Sequence, residues 1–170
     1  MSNSTSTEPV VRAVPAGTGE HHHFLDHLAT VKVRSSDLSS GTNVVEFTAP
    51  RGFGPPLHAH AEEDEIMIVS DGDIRLRSGD VESLVSAGDV AVLPVGIPHT
   101  FQVESDSARF TTISSGRDTQ PSFDTFVSTL GRPIDDPTTI EAEGIDPAHV
   151  STVCAAHGIE VLGPPPGPLA

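Results

Sequence analysis

Tryptophan and tyrosine are absent from this chain of 170 residues, so any aromatic wall for a ligand must come from its seven phenylalanines or from histidine. Cysteine occurs once, at Cys154. A single thiol cannot close an internal disulfide, and nothing indicates an oxidising compartment. Basic residues are scarce: 9 Lys and Arg stand against 24 Asp and Glu, a formal net charge of −15. A surface so acidic repels phosphate, which argues against nucleic acid and anionic membrane surfaces as partners. No apolar run approaches the ~20 residues that span a bilayer. Met1 to Val10 lacks the basic and then apolar order of a signal peptide. The expectation is a cytoplasmic protein of one domain.

What the chain does have is 15 glycines and 15 prolines, too many for a helical bundle. Between about residues 28 and 115, short alternating runs such as Asn43-Val44-Val45-Glu46-Phe47 and Glu65-Ile66-Met67-Ile68-Val69 are separated by Asp71-Gly72, Ser78-Gly79 and Ala87-Gly88. Period-two alternation with a turn signal about every ten residues predicts an all-β sandwich or barrel. Residues 1–19 are rich in Ser, Thr, Gly and Pro and read as a mobile tail or a loose edge strand. The barrel is expected over residues 20–116 and a helical extension over 117–170. In the extension, Phe123, Phe126, Val127 and Leu130 make one helical face, with Ser122 as cap and Gly131 as stop. A second helix is signalled by Asp146 as cap, Pro147 in the first turn, Val150, Val153 and Cys154 on the apolar face, and Gly158 beyond the end.

Chemistry concentrates in two stretches, Gly52 to Gly72 and Gly88 to His99. His58 and His60 are two apart, so on a strand both imidazoles face the same way. Glu65 shares a face with Met67 and Val69, and a tight antiparallel pairing of the two segments would bring its carboxylate to the imidazoles. His99 shares a face with Phe101 and Val103, so burying that apolar pair turns His99 inward. Three imidazoles and a carboxylate converging in a barrel need compensation for lost hydration, and a divalent transition metal supplies it. The donor set suits Fe, Ni, Co, Cu, Mn or Zn. Glu62, Glu63 and Asp64 read as a solvated acidic cluster, with Glu63 an alternative ligand if the register slips. His21, His22 and His23, near His27, read as an exposed run without a role. Glu46 reads as a solvated strand position, or as a second carboxylate on the cavity.

These stretches resemble both motifs of the cupin superfamily, in spacing and in residue type. The resemblance implies a cupin double-stranded β-helix, a jelly-roll barrel with a short C-terminal helical cap. It also implies one metal on His58, His60, Glu65 and His99. The family often has Asn where this chain has Val103. Further matches at Phe24-Leu25, Thr30-Val31-Lys32-Val33, Glu46, Gly54-Pro55-Pro56, Phe123-Asp124-Thr125-Phe126 and Leu130-Gly131-Arg132-Pro133 extend the resemblance over residues 20 to 162. There it resembles bacterial single-domain cupins of the quercetin 2,3-dioxygenase-like type.

The resemblance implies an O2-dependent dioxygenase acting on an aromatic or enolic small molecule, with Glu65 as the catalytic base, and a homodimer in which residues 20–35 are an edge strand able to swap. A redox-neutral isomerase, cyclase or lyase of a polyketide-like substrate, and a non-catalytic binding module, are the alternatives. Met67, Val69, Phe101 and Val103 are the expected substrate pocket, apolar and suited to an aromatic ligand.

Overall fold

Strands form where apolar and polar residues alternate, because such a segment can bury one face and hydrate the other. The structure, a computed structural model, describes residues 12–116, 122–138 and 144–168. Its strands are β1 (Glu20–Phe24), β2 (His27–Val33), β3 (Asn43–Pro50), β4 (His58–His60), β5 (Glu63–Asp71), β6 (Asp73–Ser78), β7 (Val81–Ser86), β8 (Val90–Leu93), β9 (His99–Val103), β10 (Ser107–Gly116), β11 (Arg132–Pro133) and β12 (Ile159–Val161). Two helices, α1 (Phe123–Leu130) and α2 (Pro147–Ala156), complete the described elements with one turn of 3-10 helix at Ser35–Asp37. β5 shows the rule cleanly. Glu63, Glu65, Met67 and Val69 are buried, while Asp64 and Ile66 between them are exposed.

The strands pair antiparallel into two sheets, one in the order β11-β1-β2-β3-β10-β5-β8 and one in the order β12-β4-β9-β6-β7. Their inner faces enclose the core, in the β-sandwich form of the cupin jelly roll. The C-terminal extension adds more than helices, since β11 joins the first sheet and β12 the second. Among the described residues no helix is long and apolar enough to cross a membrane.

Several expectations need correcting. Residues 1–11 lie outside the described residues, but the segment after them rests on β2, where the Lys32 ammonium donates to the carbonyls of Pro15 and Thr18. Residues 20–35 are not an edge strand. They form β1 and β2, and β2 lies inside the sheet between β1 and β3. The histidine run is not exposed either: in β1 and at the start of β2, His22, His23 and His27 are buried, so β1 is covered on both faces.

α1 begins at Ser122, but the Ser122 hydroxyl donates to Asp124 rather than capping the helix. The first amide, Phe123 N–H, instead donates to a carboxylate oxygen of Glu63 at 3.1 Å. α2 has the expected cap, with the Asp146 side chain accepting from Ala148 N–H at 3.0 Å. Gly131 ends α1 through close packing: a Cβ there would lie 2.8 Å from the Val127 carbonyl oxygen and 3.0 Å from the His22 Cβ.

The motif glycines differ in how much they matter. Gly72 has φ +79° and a Cβ would meet the Ser107 carbonyl oxygen at 2.3 Å, whereas Gly88 has φ +98° with nothing within 4 Å. Gly88→Ala should therefore cost about 1 kcal/mol, the strain of a left-handed alanine. Gly72→Ala should cost roughly 3 kcal/mol, because the backbone itself must shift. Urea denaturation of the two variants beside the wild type checks the difference.

Candidate metal centre

Imidazole placement starts with β4, whose three residues are pinned from both sides. β9 sets His58 directly opposite His99, and β12 sets Ile159 opposite His60 and Val161 opposite His58. The three rings meet inside the sandwich. Centroids lie 4.4 Å apart for His58 and His99, 5.2 Å for His58 and His60, and 5.4 Å for His60 and His99, the last pair stacked at 4°. One nitrogen from each ring falls within 4.8 Å of the other two.

Glu65 does not arrive by hairpin pairing with β4. β4 and β5 lie in different sheets, so the carboxylate reaches the imidazoles across the interior. Its Oε2 lies 3.5 Å from His60 Nε2 and 3.7 Å from His99 Nε2.

Hydrogen bonds aim two of the rings. His58 Nδ1 donates to the Pro56 carbonyl at 2.7 Å, and His99 Nδ1 donates to the Ile97 carbonyl at 3.0 Å. Each fixes the tautomer and leaves Nε2 as a lone pair, as a metal-ligating histidine requires. Burial lowers the proton affinity of both, to a pKa of about 3 for His58 and about 4 for His99, so both are neutral near pH 7. Burial also pulls His60 down, but the carboxylates of Glu63 and Glu65 outweigh it and leave it raised. Burial raises Glu65. Nδ1 and Nε2 of His60 and Nε2 of His99 are buried without a hydrogen-bond partner. Orphaned nitrogens beside a buried carboxylate are costly unless a cation accepts their lone pairs. The three imidazoles could hold a first-row divalent ion, with the Glu65 carboxylate beside two of them.

Glu63 is the residue that sequence reasoning misplaced. It is buried, not solvated, because it shares the inward face of β5 with Glu65. One carboxylate oxygen caps α1, and the other lies 3.7 Å from His60 Nδ1. The period-two register that put Glu65 inside carried this signal. Asp64 faces outward and accepts from Val95 N–H at 2.9 Å. Glu46 is half-buried on β3 and is not among the lining residues of the cavity beside the site.

That cavity, of about 80 Å3, has His58, Glu65 and His99 among its lining residues. All seven phenylalanines of the chain line it. They form one connected set of ring contacts, from Phe53 through Phe101, Phe110 and Phe47 to Phe24, Phe123 and Phe126. Of the expected pocket residues, Met67 and Phe101 line the cavity. Val69 and Val103 face inward on the same strands but are not among the lining residues, and both are packed in the core. His27 and Cys154 line it as well, the thiol pushed up to about 11 by burial.

Comparison with known proteins agrees with this architecture. Residues 45–114 match the Cupin domain family, a stretch running from β3 to β10 that contains His58, His60, Glu65 and His99. The chain is 28% identical over 107 residues to the quercetin 2,3-dioxygenase of Bacillus subtilis (strain 168), an alignment covering 63% of this chain. The chain spans about a third of that relative, 32% of its length. An RmlC-like cupin from Shewanella frigidimarina NCIMB 400 superposes with a TM-score of 0.52 at 14% identity, over 63% of this chain and 91% of that one. KdgF from Halomonas sp. superposes with a TM-score of 0.50 at 18% identity, over 55% of this chain and 82% of that one. The two-sheet β fold agrees with that match over residues 45–114.

Two outcomes follow from these contacts. Glu63→Gln should keep all four donors yet weaken metal retention about tenfold or more, read by chelator competition, because the carboxylate facing His60 Nδ1 is lost. The second concerns His27, whose pKa burial pulls down to about 4 from an ordinary 6.5. The unfolded chain takes up this proton first as pH falls, so the stabilisation is complete above about pH 6.5 and is lost as pH drops toward 4. That loss is worth roughly 3 kcal/mol. Urea midpoints between pH 7 and pH 4 should fall less steeply in His27→Phe than in the wild type.

Proposed function

We propose that this protein is a metal-dependent cupin enzyme that acts on a small aromatic or enolic molecule with O2, in the manner of a quercetinase-like dioxygenase. The observation that carries this reading is that His58, Glu65 and His99 border an apolar, phenylalanine-lined cavity. His58, His60, Glu65 and His99 would hold one divalent ion. When bound, such an ion supplies a Lewis acid for an enol oxygen and the means to engage O2.

The chain's own residues have separate tasks. Glu65 receives the hydroxyl proton of the incoming enol. Burial raises its carboxyl, so a proton is held there more readily than on an exposed carboxylate. The phenylalanine walls exclude water and hold a flat ring in place. Met67 lends a deformable surface on the β5 side. The modest size of the cavity favours a compact ligand over a large one.

A homodimer belongs to the same reading. An outer row crossing the first sheet, with Val44 beside Ile113, Ile113 beside Ile66 and Ile66 beside Val92, offers a second copy an apolar face. Val92 in that row is 65% exposed.

The test is elemental mass spectrometry on untagged wild type beside the His58→Ala/His99→Ala double variant, followed by oxygen-uptake assays with enolic substrates. The expected result is about one equivalent of metal, lost in the double variant, and substrate-dependent O2 consumption by the wild type alone. Turnover that persists without O2 would move the assignment to a redox-neutral isomerase, cyclase or lyase. Binding without turnover would leave a ligand-binding module. Wild type that takes up no metal even after reconstitution would overturn the enzyme reading.

A further inference from the structure

Besides His58 and His99, the cavity is lined by one more histidine that no step above uses. His27 is 2% exposed and lines the same cavity as His58, Glu65 and His99. Its ring sits among phenylalanines, with centroids 4.0 Å from Phe53, 5.4 Å from Phe24 and 5.5 Å from Phe47. Nδ1 donates to the Leu25 carbonyl at 3.1 Å, which places the proton on that nitrogen and leaves Nε2 with a lone pair. Among the described residues Nε2 has no hydrogen-bond partner. Burial keeps the ring neutral near pH 7, so this nitrogen accepts and does not donate.

The backbone that delivers His27 is strained. β1 and β2 are joined through Leu25 and Asp26, with Phe24 paired to His27 across the turn. Both turn residues are left-handed, at φ 50° and 61°. A turn with two positive φ angles ordinarily uses Asn-Gly or Gly. Here a branched leucine takes the first place, and its side chain also lines the cavity. Strain of this kind persists where surrounding structure needs the resulting geometry. An apolar residue at position 27 would give up only the Nδ1 contact to the half-buried Leu25 carbonyl and would leave no lone pair at the cavity wall, so the one held there calls for a donor from a ligand.

We infer that His27 is a specificity-determining residue: through Nε2 it accepts a hydrogen bond from a hydroxyl on the ligand other than the oxygens that approach Glu65 and the three imidazoles. The inference rests on the reading of this cavity as an enol site. It narrows the ligand to a neutral, compact, planar enol that carries a further hydroxyl outside the chelating pair.

The probes are two hydroxypyranones with the same chelating end. 5-Hydroxy-2-hydroxymethyl-4-pyranone has a terminal hydroxyl, and 5-hydroxy-2-methyl-4-pyranone lacks it. Each is titrated calorimetrically into nickel-loaded full-length protein, as wild type, His27→Phe and His27→Gln. The wild type should bind the hydroxymethyl compound about fivefold more tightly. That preference should fall to near unity in His27→Phe and survive in part in His27→Gln, whose amide oxygen still accepts.

His27→Phe should melt within a few degrees of the wild-type temperature at pH 7.5, since it removes a polar nitrogen from an apolar wall but also the Nδ1 donor of the Leu25 carbonyl. Equal affinities in the wild type, or a preference that persists in His27→Phe, would overturn the role of His27 while leaving the enol site standing. Failure of both compounds to bind nickel-loaded wild type would overturn the enol reading and this inference together. A His27→Phe protein that melts well below the wild type, with His27→Gln also losing the preference, would assign His27 to the core and overturn the proposal.

Discussion

The desolvation of His58, His60, Glu65 and His99 is the constraint to which the rest of this molecule answers. These proton-binding groups gather inside a largely apolar sandwich, and burial drives the imidazoles toward neutrality and the carboxyl toward its acid form. No arrangement of these groups alone satisfies all of them, since buried ring nitrogens of His60 and His99 are left without partners. A divalent cation would resolve the conflict, and two backbone carbonyls prepare for it. Pro56 and Ile97 each occupy one nitrogen of a histidine so that the other is free.

Glu63 connects that centre to the outer parts of the chain. With one oxygen it faces His60, and with the other it holds the first amide of α1. The helix carrying Phe123 and Phe126 is thereby docked by the same carboxylate that polarises a ligating imidazole. The N-terminal end of a helix favours negative charge, so neutralising Glu63 weakens both contacts at once. The C-terminal extension is coupled in a second way, because β12 pairs with the strand that bears His58 and His60. Metal centre, cap and cavity wall are one packed unit rather than a barrel with an appendage.

The cavity shows how a chain without Trp or Tyr builds an aromatic site. Seven phenylalanines from strands, a loop and α1 converge on one space, and edge and tilted ring contacts give them a defined arrangement. Because none of these rings carries a polar atom, polarity in the cavity comes from few residues, and His27 stands out among them. The acidic surface and the apolar interior are thus separate features, one governing solubility and partners and the other the ligand.

Much of this was legible from residue order. Alternation in β5 put Glu65, Met67 and Val69 on one face, spacing of two put His58 and His60 together, and the Asp146-Pro147 start and Gly158 end of α2 are local signals that the structure follows. These depend on strand and helix periods, which a sequence displays directly. The same alternation also placed Glu63 inward, yet three successive acidic residues read as a solvated cluster because no local rule says what lies opposite. Likewise His21 to His23 read as an exposed run, since only pairing between β1, β2 and β11 reveals that the sandwich covers His22 and His23. The sequence by itself determined the strand periodicity, the donor set and its inward faces. Tertiary structure alone decided that Glu65 reaches its histidines across two sheets, that Glu63 caps a helix sixty residues away, and that His27 joins the cavity. Those contacts depend on which strands stack and pair over long separations, and a period of two carries no information about that.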